Sequence, residues 1–158
     1  MLAVRRGAPA SPYNLLRSYG SLIFTTDVSS ALPSRKRLDQ PGVLAILKRG
    51  KRLNRVDFEL RFLISPADGG ASGGKLAISV PKRLLKSAVA RNRIKRLVRE
   101  EFRGHRVSAA SLHMLVSYKA RNDGRDAALR RHLREELASL FDDASLRRQV
   151  DRTRARAG

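Results

Sequence analysis

Apolar and polar positions along this chain change rhythm several times, and each change marks an element. Val43, Leu44, Ile46 and Leu47 form a short stripe at helical spacing that ends at Gly50, a residue type that terminates helices readily. The stripe predicts a first helix near 39–48. A brief extended stretch, Lys51 to Val56, follows it. Phe58, Leu60, Phe62 and Ile64 then alternate with Asp57, Glu59, Arg61 and Leu63, the period of two that marks a half-buried strand. Gly69, Gly70, Gly73 and Gly74 fall within residues 66–74 and predict a loop. Beyond it Leu76, Ile78 and Val80 alternate with Lys75, Ala77 and Ser79, a second full strand, and 112–118 supplies another. Leu129, Leu133, Leu137 and Leu140 or Phe141 share one face of a last helix over about 125–141.

The helix predicted near 88–103 carries two demands. At about 100° per residue, Ala90, Ile94, Leu97, Val98 and Phe102 fall on one arc, which seeks a core. Arg91, Asn92, Lys95, Arg96, Arg99 and Arg103 fall on a neighbouring arc with no carboxylate among them. Cations so spaced repel by about a few tenths of a kcal/mol per pair in an isolated helix, so the arc seeks an anion. Its plain alternative is a solvated face. The cations lie off the apolar arc, so folding is expected not to depend on them.

The order is therefore helix, short strand, strand, strand, helix, strand, helix. It predicts an α+β fold over 34–141, a two-layer sandwich with a four-stranded sheet in which the arginine helix connects consecutive strands. Residues 1–33, rich in Gly, Pro, Ser and Ala, are expected to be a disordered extension. They are Arg-bearing and acid-poor like a transit peptide but lack its amphipathic period. Residues 142–158 are expected to form a charged, flexible tail.

Composition sharpens the second arc. The 158 residues include 34 Lys plus Arg against 14 Asp plus Glu, a formal charge of +20. Such a field concentrates phosphate backbones around the protein. Arg outnumbers Lys, and its planar fork suits phosphate oxygens and exposed bases. Hydrophobic residues at 42% suffice for one core. The absence of Cys, with only His105, His113 and His132 as imidazoles, excludes a zinc knuckle and a thiol nucleophile. No apolar run approaches the roughly 20 residues that span a bilayer. A cytoplasmic protein without a membrane partner is expected.

A protein nuclease needs clustered carboxylates or a positioned general base. Glu100 and Glu101 are adjacent and point apart on a helix, Asp142 and Asp143 fall in the tail, and Asp57 and Glu59 read as a solvated strand face. His113 reads as structural. The glycines at 69–74 lack the Lys-Ser/Thr of a phosphate loop. No catalytic residue and no metal ligand is assigned to the protein.

The stretch Lys75-Leu76-Ala77-Ile78-Ser79-Val80-Pro81-Lys82-Arg83, followed by Ala88-Val89-Ala90-Arg91-Asn92-Arg93-Ile94-Lys95-Arg96-Leu97-Val98-Arg99-Glu100-Glu101-Phe102-Arg103, resembles the protein component of bacterial ribonuclease P. The Arg-Asn-Arg core with its Ile-Lys-Arg continuation carries the likeness, which spans about 35–141. The resemblance implies a left-handed crossover around the arginine helix, where general topology rules would predict a right-handed one. It implies an accessory subunit to a catalytic RNA whose magnesium ions drive removal of the 5′ leader from precursor tRNA. Lys82, Arg83, Arg91, Asn92, Arg93, Lys95, Arg96, Arg99 and Arg103 are then the RNA-binding residues. The leader is expected in a cleft between sheet and first helix, lined by Val43, Leu47, Glu59, Arg61, Lys75 and Ser79. Val43 and Leu47 stand where the family often has aromatics, and Arg61 where a stacking Tyr occurs, so leader binding is expected to lean on charge. The turn at 84–87 lacks the family's usual Gly. One alternative is a non-catalytic RNA-binding or ribosome-assembly protein. A DNA-binding helix-turn-helix is disfavoured, because its recognition helix follows another helix and this one follows a strand.

Overall fold

A computed structural model describes residues 32–65 and 73–157. Helix α1 spans Gln40–Arg49, started by Asp39, whose Oδ1 accepts from the Gly42 amide at 3.0 Å, and stopped at Gly50. Strands β1 (Lys51–Asn54), β2 (Phe58–Ile64) and β3 (Lys75–Ser79) follow, then α2 (Ala88–Gly104), β4 (Leu112–Tyr118), α3 (Ala127–Phe141) and α4 (Ala144–Ala157). Through α3 this is the α+β order read from the sequence.

The sheet runs β1-β2-β4-β3, with β1·β2 and β2·β4 antiparallel and β3·β4 parallel. Parallel strands cannot be joined by a tight turn, and α2 makes the connection. Register decides the faces, since directly paired residues project to the same side. Phe58↔Tyr118, Leu60↔Val116 and Phe62↔Met114 face one way, joined by Leu76 and Ile78 of β3. On them α2, α3 and α4 deposit Ile94, Leu97, Val98, Phe102, Leu133, Leu137, Leu140, Phe141, Leu146 and Val150, the main core. The Phe58 and Tyr118 rings stand 5.2 Å apart at its centre. Sheet and these helices form the expected two-layer packing. Among the described helices, α1 alone lies on the other face, where Val43 and Ile46 close a small cluster with Leu38, Ala77 and Leu115.

Two expectations need correction. Residues 142–158 are not a frayed tail: α4 buries Leu146 and Val150, with Gln149 and Thr153 beside them. Its stripe is too sparse in apolar residues to stand out in an arginine-rich stretch, and packing against the core makes the helix. The N-terminal extension lies outside the described residues except at its end, where Leu32 is buried in the main core and Arg37 Nε donates to its carbonyl at 2.8 Å. Arg37 then bridges to Leu76, and the Leu38 amide bonds the Leu76 carbonyl at 3.2 Å, covering the edge of β3. The predicted loop at 66–74 lies outside the described residues except for Gly73 and Gly74.

Candidate nucleic-acid interface

Helix α2 begins at Ser87, whose Oγ accepts from the Ala90 amide, and buries the five residues of its apolar arc, Ala90, Ile94, Leu97, Val98 and Phe102. This arc turns the cationic one outward, but its members serve different ends. Arg91 reaches back: its guanidinium donates to the carbonyls of Leu85 and Lys86 at 2.9 and 2.7 Å. That clamp, with Leu85 buried and the Leu84 and Leu85 amides both bonded to the Pro81 carbonyl, holds the turn at 84–87 without a glycine. Arg93 bonds the carbonyl and carboxylate of Asp123 at 3.1 and 3.4 Å. Gly124, at φ +63°, brings that loop against Ile94, where a Cβ would sit 3.1 Å from Ile94 Cδ1. The Arg125 backbone N–H, then the Arg125 and Arg93 guanidinium groups, hold the Asp123 carboxyl below its ordinary pKa, so it stays an anion.

Arg91 and Arg93 thus also fasten α2 to its neighbours. Lys95, Arg99 and Arg103 also interact with other groups. Asn92, Arg96 and Arg103 of α2, with Lys82 and Arg83 before it, are exposed. Glu100 and Glu101, the acids next to the arc, are engaged by Arg134 of α3 at 3.1 and 3.5 Å.

The residues expected to line a leader cleft lie on the α1 side. Register sets Glu59, Ser117 and Ser79 in one row across β2, β4 and β3, Arg61, Leu115 and Ala77 in the next, and Leu63, His113 and Lys75 in a third. Glu59, Arg61, Lys75 and Ser79 thus share one sheet face next to α1. Leu47 is half-buried at the rim. Val43 is 1% exposed and packed on the sheet, so it supports the cleft from beneath rather than lining it. Glu59 is held from two sides, by Arg61 Nε and Arg52 Nη2, each at 2.7 Å. Arg61 also points a guanidinium nitrogen at the Leu47 carbonyl, 3.5 Å away, at the C-terminal end of α1. The charge of Arg61 is thus shared with Glu59, and Arg52, exposed on the edge strand, carries the excess. Sequence reasoning missed Arg52, Asn54 and Ser117. Alternation along β1 and β4 places them on this face, but only the pairing register sets Asn54 and Ser117 beside Glu59.

A four-stranded sheet, a cationic helix seated on one face and a polar sheet face beside a helix on the other define a small basic α+β protein whose charge suits a polyanion. The family model described as Ribonuclease P matches residues 32–144, and the chain belongs to that family. A ribonuclease P protein component from Bordetella parapertussis is 31% identical over 118 residues, 71% of this chain and 94% of the relative. The RNase P protein of Thermotoga maritima superposes with a TM-score of 0.54 at 27% identity, covering 66% of this chain and 93% of that one. A Staphylococcus aureus RNase P protein shares the fold, with a TM-score of 0.56 at 22% identity over 68% of this chain and 95% of its own. The family match ends at Ala144, where α4 begins.

Proposed function

We propose that this chain is the RNA-binding protein subunit of ribonuclease P, holding a catalytic RNA with α2 and its preceding loop and the 5′ leader of precursor tRNA in the cleft beside α1. The observation that carries the reading is the two-sidedness of α2: one arc is locked into the core, and on the other Asn92 and Arg96 stand exposed, as do Lys82 and Arg83 in the preceding loop, in a chain that belongs to this family. The two binding surfaces lie on opposite sides of the sheet, which suits a protein that bridges two RNAs. Among the described residues no helix is long and apolar enough to cross a membrane.

Catalysis is assigned to the RNA. Magnesium takes oxygen ligands and keeps much of its water, and the acids near the two surfaces are engaged already, Glu59 by two arginines and Glu100 and Glu101 by Arg134. These residues do not fit a resident magnesium ion, which supports assigning the ion to the RNA and substrate. The part of this chain is to neutralise phosphates and orient the leader.

Reconstitution tests the reading. The purified chain alone is expected to cleave nothing, and to restore leader removal by its RNA at magnesium levels where that RNA is nearly silent. Cleavage by the protein that survives exhaustive ribonuclease treatment would overturn the assignment.

A further inference from the structure

The basic character of this chain makes one buried spot conspicuous. Asp57, just before β2, meets His132 and Glu136, which stand one turn apart on α3. Their donor atoms, one imidazole nitrogen and two carboxylate oxygens, all lie within 4.8 Å of one another. His132 Nε2 is 3.2 Å from Asp57 Oδ2 and 3.8 Å from Glu136 Oε2. Ligands bound at about 2.0–2.1 Å in tetrahedral geometry stand about 3.3 Å apart, so the three need little movement to share an ion. Glu136 is aimed in advance: its Oε1 accepts from the backbone amides of Asp57 and Phe58 at 2.8 and 2.9 Å, which leaves Oε2 for the site.

Charge supplies the second observation. The side chains of Asp57 and Glu136 are 9% and 7% exposed. Lys and Arg total 34 in this chain, yet among the described residues none pairs with either carboxylate; the side chain that meets them is the imidazole of His132. Burying two neighbouring carboxylates without a fixed countercharge is costly. Imidazole answers this poorly by itself, because both carboxylates approach the same nitrogen, Nε2, and one nitrogen carries one proton. A metal ion at that point satisfies both.

We propose that Asp57, His132 and Glu136 bind one borderline divalent transition-metal ion, of which Zn2+ is the type, pinning α3 to the start of β2. The half-exposed side of His132 gives access and leaves the fourth position to water. An imidazole-bearing, three-ligand site suits zinc and disfavours magnesium. The site is independent of the ribonuclease P reading.

The test uses the full chain stripped with chelator. Calorimetric titration with zinc chloride is expected to give one ion per chain, and saturating zinc to raise the melting midpoint by about 5 °C or more. Cobalt is expected to give the visible absorption of a tetrahedral site. His132→Ala removes an exposed side chain, and Glu136→Gln keeps the oxygen that accepts the two backbone amides, so both variants are expected to fold. Each is expected to weaken zinc binding at least about tenfold. His105→Ala, which removes the imidazole beside Asp142, is expected to leave binding unchanged, and magnesium at millimolar levels to produce no shift. No saturable zinc binding, equal binding by His132→Ala and Glu136→Gln, or loss on His105→Ala overturns the proposal.

Discussion

At the residue scale, Arg91 and Arg96 show how one helix face holds cations of different kinds. Arg96 is exposed, whereas Arg91 hydrogen-bonds two carbonyls of the preceding turn. Replacing Arg96 by Ala is expected to weaken binding to the catalytic RNA and to flatten the log-log salt dependence by about one unit, because each neutralised phosphate releases nearly one counterion. The melting midpoint should not move. Arg91→Ala is expected to cost about 1 kcal/mol of stability as well, the usual net value of lost hydrogen bonds of this kind. Salt titrations of RNA binding, set beside urea melts of each variant, separate the two effects. Sequence spacing put both arginines on one arc correctly. It did not reveal which faces outward, because the carbonyls of Leu85 and Lys86 come within reach only once the turn is folded.

At the element scale, α4 is the instructive case. Asp143 starts it: Oδ1 accepts from the Ser145 amide and hydroxyl at 2.9 and 2.5 Å, and Oδ2 pairs with Arg55 at 3.4 Å. The Ser145 hydroxyl and amide, then Arg55, hold the Asp143 carboxyl below its ordinary 3.8. A depressed folded-state pKa contributes stability that is present above 3.8 and fades as pH falls through the lower folded value. Asp143→Ala is therefore expected to cost about 1 kcal/mol at neutral pH, and this deficit should shrink in acid, below the ordinary Asp value. Urea melts of parent and variant across pH check the sign. Leu146→Ala, emptying a site that is 0% exposed, is expected to cost about 2–4 kcal/mol. A loss under about 0.5 kcal/mol, the range of surface substitutions, would return α4 to the status of a loose tail.

At the scale of the whole molecule, charge opposes compactness. A net +20 on 158 residues repels itself, and salt screens that repulsion. The melting midpoint of the protein alone is expected to rise between about 10 mM and about 200 mM salt, over which the Debye length shrinks severalfold. RNA affinity should fall over the same range. Opposite slopes for stability and binding mark a fold whose surface charge is maintained for its partner; a midpoint indifferent to salt would show the charges already neutralised within the chain.

The sequence by itself determined the element order as far as α3, the strand at 112–118, the apolar arc of α2 and the basic character of its other arc, because these rest on local periodicity and net charge, which need no folded partner. Tertiary structure decided the rest. Val43 went beneath the cleft because α1 packs onto Ala77 and Leu115. Arg93 was drawn to Asp123 by a loop that Gly124 lets approach. Asp57 met His132 and Glu136 across most of the domain's length in sequence. Each of these outcomes joins residues far apart in the chain, and no period along the sequence encodes such a meeting.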